Sequence, residues 1–258
     1  MSIPHEGEVI KARSSPHTQG LFASVINTGI INLYNADQRK CVGKLHGLPC
    51  DTFALSWNKL RPGLILSAAD TQICVWDIAQ TGNFDKHQFS KIGRGHGSSA
   101  INDARFSPLE NDLFVTAGAD GFFKIWDLRD FGHKSVASIQ GSNTELNVAA
   151  FNYVNKHLIA CAGDPDGTVS IYDLRMPERV LNDLEFHKDQ VQVLEWHPNR
   201  EQMLVTGADD GKIYIWDNEK WGDEQARADY DDGPPEMVFP HELHSSKIED
   251  VCWSPRAV

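Results

Sequence analysis

Three sets of residues in this chain combine an imidazole, a hydroxyl, a carboxylate and an indole. They are His96, Thr116, Asp120 and Trp126; His187, Thr206, Asp210 and Trp216; and His46, Ser67, Asp70 and Trp76. A hydroxyl beside a histidine that a carboxylate orients is how acyl-transfer enzymes activate a nucleophile. A catalytic site does not recur once per sequence repeat, whereas a buried hydrogen-bonded network that joins strands does. Repetition therefore assigns the set to scaffold. Asp164-Pro165-Asp166-Gly167 faintly resembles a calcium loop but lacks the downstream ligands and glutamate, so it reads as a turn. Gly93-Arg94-Gly95-His96-Gly97 is glycine-rich, yet no helix follows that would cradle a phosphate. No nucleophile–base pair or metal cluster stands outside the repeated sets. The expectation is a binding scaffold, not an enzyme, with no cofactor and no metal.

The elements that must position these sets also repeat. Gly95 to Arg129 contains β-type runs at Ile101 to Ser107, Leu113 to Ala117 and Phe122 to Asp127, separated by Pro108 and by Ala119-Asp120-Gly121. Aligned on Tyr34-Asn35, Trp76-Asp77, Trp126-Asp127, Tyr172-Asp173 and Trp216-Asp217, the copies are spaced by 42, 50, 46 and 44 residues. Opening histidines align at His46, His96, His187 and His244, and the fourth copy has Gln140-Gly141-Ser142 instead. Asp-Gly at 120–121, 166–167 and 210–211 suits hairpins that need positive φ. This Gly-His to Trp-Asp pattern is that of the WD repeat, in which each copy is one four-stranded propeller blade. Outer strands follow at Lys40 to Leu45, Gln88 to Ile92, Lys134 to Ile139, Arg179 to Leu184 and Glu236 to Phe239. The predicted fold is all-β: one WD-repeat propeller domain over 1–258. Its repeats are 5–35, 46–77, 95–127, 141–173, 186–217 and a partial 243–258, giving five blades and the first strand of a sixth. The fourth blade, lacking its histidine, is expected to be the least tied. A seven-bladed ring would need more chain, so bare strand edges and self-association are expected.

The net charge of −12 favours a basic partner over nucleic acid or an anionic membrane. No apolar run reaches the roughly 18 residues of a membrane span. Met1-Ser2-Ile3-Pro4-His5-Glu6 lacks a signal-peptide layout. Cys41, Cys50, Cys74, Cys161 and Cys252 are scattered without a Cys-x-x-Cys, which reads as buried reduced thiols in an intracellular protein.

The pattern breaks between Asp217 and His244, a stretch twice as long as that between Asp173 and His187. From Asp217 to Glu236 there are eight acids and two bases, a local charge of −6 and half of the chain's total. Trp221, Tyr230 and the stiff Pro234-Pro235 complete a candidate docking loop, 218–241, for a basic ligand. Asp231-Asp232-Gly233-Pro234-Pro235-Glu236 followed by Met237-Val238-Phe239 resembles the acidic proline loop of the retinoblastoma-binding WD-repeat proteins. His5-Glu6-Gly7-Glu8-Val9, Leu55-Ser56-Trp57-Asn58, His187-Lys188-Asp189 and His244-x-x-Lys247-Ile248-x-Asp250-x-x-Trp253 carry the same resemblance. That family comprises histone-binding subunits of chromatin assembly, deacetylase, remodelling and Polycomb complexes.

The resemblance implies a nuclear histone chaperone or scaffold, also found in the cytoplasm, with histones H3 and H4 as partners. Asp231, Asp232 and Glu236 would face basic residues of the first helix of histone H4, with Gly233, Pro234 and Pro235 holding the loop's shape. A top-face site for a basic peptide such as the H3 tail would use Glu8, Lys11, Asp51, Phe53, Asn147 and Lys247. Asn102, Gln190 and Gln192 depart from the family's acids or aromatic there. The family's first helix and blade would precede Met1, and its last blade and helix would follow Val258. Trp126-Asp127-Leu128-Arg129 and Tyr172-Asp173-Leu174-Arg175 resemble a different motif, which docks substrate receptors of cullin-type ubiquitin ligases onto their adaptor. Arg129 and Arg175 would carry that alternative. A generic interaction scaffold is the third reading.

Overall fold

β-Branched and aromatic residues fill the short runs, and the pleat puts alternate side chains on opposite faces. A computed structural model describes residues 3–49, 52–79, 88–93, 95–130, 134–163, 165–225 and 233–254. It contains five four-stranded antiparallel sheets, each a meander of consecutive strands. Sheet 1 is β1 (Val9–Ser14), β2 (Leu21–Ile26), β3 (Ile31–Asn35) and β4 (Lys40–Leu45). Sheet 2 is β5 (Thr52–Trp57), β6 (Leu64–Ala69), β7 (Gln72–Asp77) and β8 (Gln88–Gly93). Sheet 3 is β9 (Ile101–Phe106), β10 (Leu113–Gly118), β11 (Phe122–Asp127) and β12 (Ala137–Gln140). Sheet 4 is β13 (Val148–Phe151), β14 (Leu158–Ala162), β15 (Val169–Asp173) and β16 (Val180–Leu184). Sheet 5 is β17 (Val191–Trp196), β18 (Met203–Ala208), β19 (Ile213–Asp217) and β20 (Met237–His241). The chain forms two compact units, Met1–Ser138 and Ile139–Val258.

In the first unit, sheet 2 is buried on both faces. Ile65, Cys74 and Trp76 pack with Ala23, Val25, Leu33 and Leu45 of sheet 1. Leu64, Leu66, Ile73 and Val75 pack with Ile101, Ala104, Phe114 and Trp126 of sheet 3. This is why β6 reads as an apolar run and not as an alternation. In the second unit, Val148, Ala160 and Ile171 of sheet 4 pack with Leu194, Trp196, Leu204 and Trp216 of sheet 5.

The hairpins follow the sequence expectation: Gly121, Gly167 and Gly211 have φ of 77°, 73° and 74°. A Cβ on Gly167 would also come within 2.7 Å of the His187 carbonyl oxygen. The predicted sixth-repeat strand does not form a ladder among the described residues. Ile248 instead lies over Gly207, donating its N–H to the Ala208 carbonyl at 3.1 Å. Trp253 donates its indole N–H to the Glu195 carbonyl at 3.1 Å. A strand needs a ladder of paired backbone groups, and this segment has one backbone hydrogen bond and side-chain docking in its place.

A fastener unremarked in the sequence joins neighbouring sheets. Asn152 is fully buried, and its Oδ1 caps the N–H groups of Val154 and Asn155 at 2.8 and 2.9 Å. Its Nδ2 donates to the Glu201 carbonyl of sheet 5 at 2.7 Å. Asn58 repeats the device, capping Leu60 and Arg61 and donating to the Asn111 carbonyl. Serine at position 152 can cap but cannot reach Glu201. Asn152→Ser is therefore expected to cost about 1 kcal/mol and Asn152→Ala about 2–3 kcal/mol. Urea denaturation of the two variants checks this: an Asn152→Ser midpoint equal to the parent's would show that the Glu201 contact contributes nothing, and equal losses in the two variants would show the same of the cap.

Candidate functional site

Two of the repeated sets form as expected. His96 Nε2 meets Thr116 Oγ1 at 2.7 Å, His96 Nδ1 meets Asp120 Oδ1 at 2.7 Å, and Trp126 Nε1 donates to Thr116 Oγ1 at 2.9 Å. In sheet 5, His187 meets Thr206 at 2.8 Å and Asp210 at 3.0 Å, and Trp216 donates to Thr206 at 2.8 Å. Burial lowers both imidazole pKa values below the ordinary 6.5, against the opposing pull of Asp120 and Asp210. Burial pushes the Asp120 and Asp210 carboxyls up, but hydrogen bonds from histidine, backbone and Lys124 outweigh it and hold both below the usual range. An ionised carboxylate only accepts, so Nδ1 carries the proton and the neutral ring's Nε2 accepts from the threonine hydroxyl. The chain of donors runs Trp to Thr to His to Asp. With both His and Thr buried, it is a brace and not an exposed nucleophile.

The other sets differ from the sequence expectation. His46 is exposed; Trp76 Nε1 reaches the His46 carbonyl at 3.4 Å and not an imidazole network. Ser67 donates to the Ala54 carbonyl. Two residues separate Ser67 from Asp70, one fewer than separate Thr116 from Asp120 or Thr206 from Asp210. The shorter turn leaves Asp70 exposed at φ 51°. Sheet 1 contains a set that sequence reading missed. His5 Nε2 meets Ser24 Oγ at 2.8 Å and its ring stacks on Tyr34 at 5.3 Å. The missed signal was spacing: His5 to Ser24 is 19 residues, as is His187 to Thr206. Thr28 occupies the aspartate position, and His5 Nδ1 is buried with no hydrogen-bond partner. Thr28→Asp is expected to stabilise the fold by about 1 kcal/mol, an effect absent in a His5→Gln background. Paired urea titrations check it, and a gain that survives His5→Gln would rule out this partnership. In sheet 4, buried Cys161 stands at the hydroxyl position and the Tyr172 hydroxyl bonds the Gln140 carbonyl at 3.3 Å.

The acidic segment is anchored at both ends. Asp217 accepts from the Glu219 N–H to start a 3₁₀ turn, Asn218–Lys220, and donates its own N–H to the Glu236 carbonyl at 2.7 Å. Beyond the turn, Trp221 is 50 % exposed. Gln225 Nε2 donates to the Gly233 carbonyl at 2.9 Å, and the Met237 N–H bonds the Pro234 carbonyl at 2.9 Å. Gly233 has φ 107°, and a Cβ there would meet Met237 Cε at 2.2 Å and Phe186 Cζ at 3.2 Å. Pro234 and Pro235 are half-buried. Glu236 is only 7 % exposed, so it sits under the loop exit and not on an open rim. Asp231, Asp232 and Asp51 lie outside the described residues.

The rim residues owe their position to bulges. Phe53, Asn102 and Gln192 are each skipped where an inner strand shifts register against its neighbour. Phe53 is 52 % exposed. In the first unit, Glu8 is exposed, and Lys11 Nζ stands 3.8 Å from Asp103 Oδ1. In the second, Asn147 donates to Gln190 and to the Val191 carbonyl, Gln192 donates to Asp209 at 3.0 Å, and exposed Lys247 pairs with Glu249. Cys41 and Cys252 are exposed, contrary to the expectation of burial, while Cys74 and Cys161 are buried.

Arg129 and Arg175 adopt the same geometry. Each guanidinium grips the aspartate two residues earlier through Nε and Nη2, and that aspartate also caps the arginine's N–H at 2.9 Å. The hydrogen bonds from Arg175 hold the Asp173 carboxyl at about 2. The arginine side chains remain 75 % and 64 % exposed.

Repeated meanders, positive-φ hairpins and the tryptophan network define a WD-repeat β-propeller protein. A family model described as the nucleolar protein 10-like, N-terminal domain, a β-propeller, matches residues 22–255, and the chain belongs to that family. It is also similar to histone acetyltransferase type B subunit 2 of Debaryomyces hansenii, 26 % identical over 258 residues, or 96 % of this chain and 61 % of that protein. The protein of that name from Candida glabrata is 29 % identical over 260 residues, or 98 % of this chain and 60 % of that protein. The chain thus spans about three fifths of the length of these relatives. Among the described residues no helix is long and apolar enough to cross a membrane, and no group of three or more His, Cys, Asp or Glu could hold a metal ion.

Proposed function

We propose that this chain is the non-catalytic, histone-binding propeller of a nuclear chromatin assembly or histone-modifying complex. The observation that carries the reading is the segment Asp217 to Glu236, with a charge of −6 and both ends tied to sheet 5. An acidic segment with anchored ends and an exposed tryptophan suits a basic helix with an apolar side. The names of the two yeast relatives support a histone-associated role, and the loop resembles that of the retinoblastoma-binding group. In this reading histones H3 and H4 are the ligands, and any acetyltransferase, deacetylase or methyltransferase chemistry belongs to a partner subunit. The test is retention of a histone H4 first-helix peptide at low salt by the protein and by Asp231→Lys/Asp232→Lys. Retention unchanged by the double reversal would remove the loop from the site.

Arg129 and Arg175 favour a second reading, adaptor docking in a cullin-type ligase. Each is held in one geometry by its aspartate, which lowers the conformational entropy lost on binding. Co-purification with the ligase adaptor is expected to fall at least tenfold in Arg129→Ala/Arg175→Ala. Recovery equal to that of the parent protein would discard this reading.

A further inference from the structure

One cation of this chain already lies on an aromatic ring beside the acidic segment. Lys188 Nζ stands 5.3 Å from the centroid of the Phe186 ring. That is within the distance at which a ring's negative face attracts an ammonium or a guanidinium. The brace of sheet 5 sets this geometry: Asp210 Oδ2 accepts the Lys188 N–H at 3.0 Å and meets His187 Nδ1 at 3.0 Å. Lys188 is exposed, and among the described residues its ammonium has no carboxylate within ion-pair distance. Phe186 is fixed from the other direction. Its ring meets Tyr214 edge to face at 5.3 Å, and it packs against the core shared by sheets 4 and 5. Gly233 lies against the rim of the same ring, so close that a Cβ there would come within 3.2 Å of Phe186 Cζ. Gly233 directly follows Asp231-Asp232 and leads into Pro234-Pro235-Glu236. The ring therefore joins the exit of the acidic segment to a cation supplied by the connection before β17.

We propose that the Phe186 ring is a cation subsite of the acidic-segment site, held by Lys188 until a guanidinium or ammonium group of a basic peptide displaces it. The inference rests on the histone-binding reading and adds to it a residue that carries no charge. An ammonium on a ring is the contact that a ligand's lysine or arginine would make there, so Lys188 shows what the subsite accepts. A flexible surface lysine holds such a place weakly, because an exposed cation–π contact shifts an equilibrium by only about two- to fivefold. Arginine is the better occupant: its planar guanidinium stacks on an aromatic face and is more weakly hydrated. Displaced Lys188 returns to water, while the arriving cation's neighbours gain the acids between Asp217 and Glu236. The internal lysine thus sets a threshold. A lone cation gains no more on the ring than Lys188 already does, and only a ligand that engages ring and acids together displaces it.

The experiment measures the affinity of the full chain for the H4 first-helix peptide and for hexa-arginine, by fluorescence anisotropy at low salt. Lys188→Gln removes the internal competitor and keeps the packing of Phe186. It is expected to tighten binding of both probes by about two- to fivefold. Phe186→Leu removes the ring, keeps an apolar side chain against Gly233, and should weaken both probes by a similar factor. In the Phe186→Leu background, Lys188→Gln should bring at most about half of its gain. An equal gain in both backgrounds means that Lys188 acts through charge alone and overturns the subsite. An unchanged affinity in Lys188→Gln overturns it too, a readout that stands even where Phe186→Leu fails to fold. Hexa-arginine binding that responds to these variants, with no H4 binding, overturns the histone reading and supports the subsite. Binding that Asp231→Lys/Asp232→Lys weakens but neither Lys188→Gln nor Phe186→Leu moves overturns the subsite alone. Binding of neither probe overturns both.

Discussion

Replacing Thr206 by valine is expected to destabilise the second unit by about 2–4 kcal/mol. Valine has nearly the shape of threonine, so the loss comes from hydrogen bonds and not from a cavity. Thr206 Oγ1 accepts from Trp216 Nε1 and donates to His187 Nε2, and all three residues are buried. Removing it strands one donor and one acceptor with no water to replace it. The effect is also expected to change the pH profile. Burial lowers the folded-state pKa of His187 below the unfolded value near 6.5. Below about pH 6.5 the unfolded chain therefore binds more protons than the folded one, and stability falls with pH until the folded value is passed. The lowered Asp210 carboxyl adds a second loss as pH falls through the ordinary carboxylate range. Urea titrations at pH 7.5, 6.5, 5.5 and 4.0 measure both effects. A Thr206→Val midpoint within error of the parent would show that the network contributes no stability. A parent midpoint that rises on acidification would contradict the lowered histidine value.

The largest expected effect on binding belongs to the double reversal Asp231→Lys/Asp232→Lys. It changes the charge between Asp217 and Glu236 from −6 to −2 and places cations where a basic helix would dock. Like charges brought together at an interface cost several kcal/mol, so affinity for the H4 peptide should fall by about 100-fold or more. The parent interaction should weaken steeply between 50 and 300 mM salt, and the variant should lose most of that dependence. Fluorescence anisotropy over this salt series checks the expectation. A variant that keeps the parent's salt slope would mean that the peptide binds through other acids. Glu236 is a poor choice for the same test, because it is buried beneath the loop exit and its substitution would perturb folding.

Much of the scaffold was legible in the residues. Period, turn chemistry and β-rich composition locate the sheets because hairpins are local: strand, Asp-Gly turn and return strand lie within one short stretch. Networks centred on Thr116 and Thr206 were legible for the same reason. His46 misled because one residue is missing between Ser67 and Asp70, and a turn's length, more than its residue types, aims its carboxylate. His5 was overlooked because a valid partner depends on where the chain before β1 runs, and Ser24 alone does not fix that.

The sequence by itself determined the repeat, the strand order within each sheet, the acidic stretch and its prolines. These follow from short-range periodicity, covalent turn preferences and charge counts. Only the tertiary structure decided that Glu236 is buried, that Asn58 and Asn152 bridge sheets, and that bulges present Phe53, Asn102 and Gln192. It alone brought Lys11 and Arg105, 94 residues apart, onto one buried carboxylate. Burial and cross-strand contact depend on which sheets stack and in what register, and no local pattern in the chain encodes those distances.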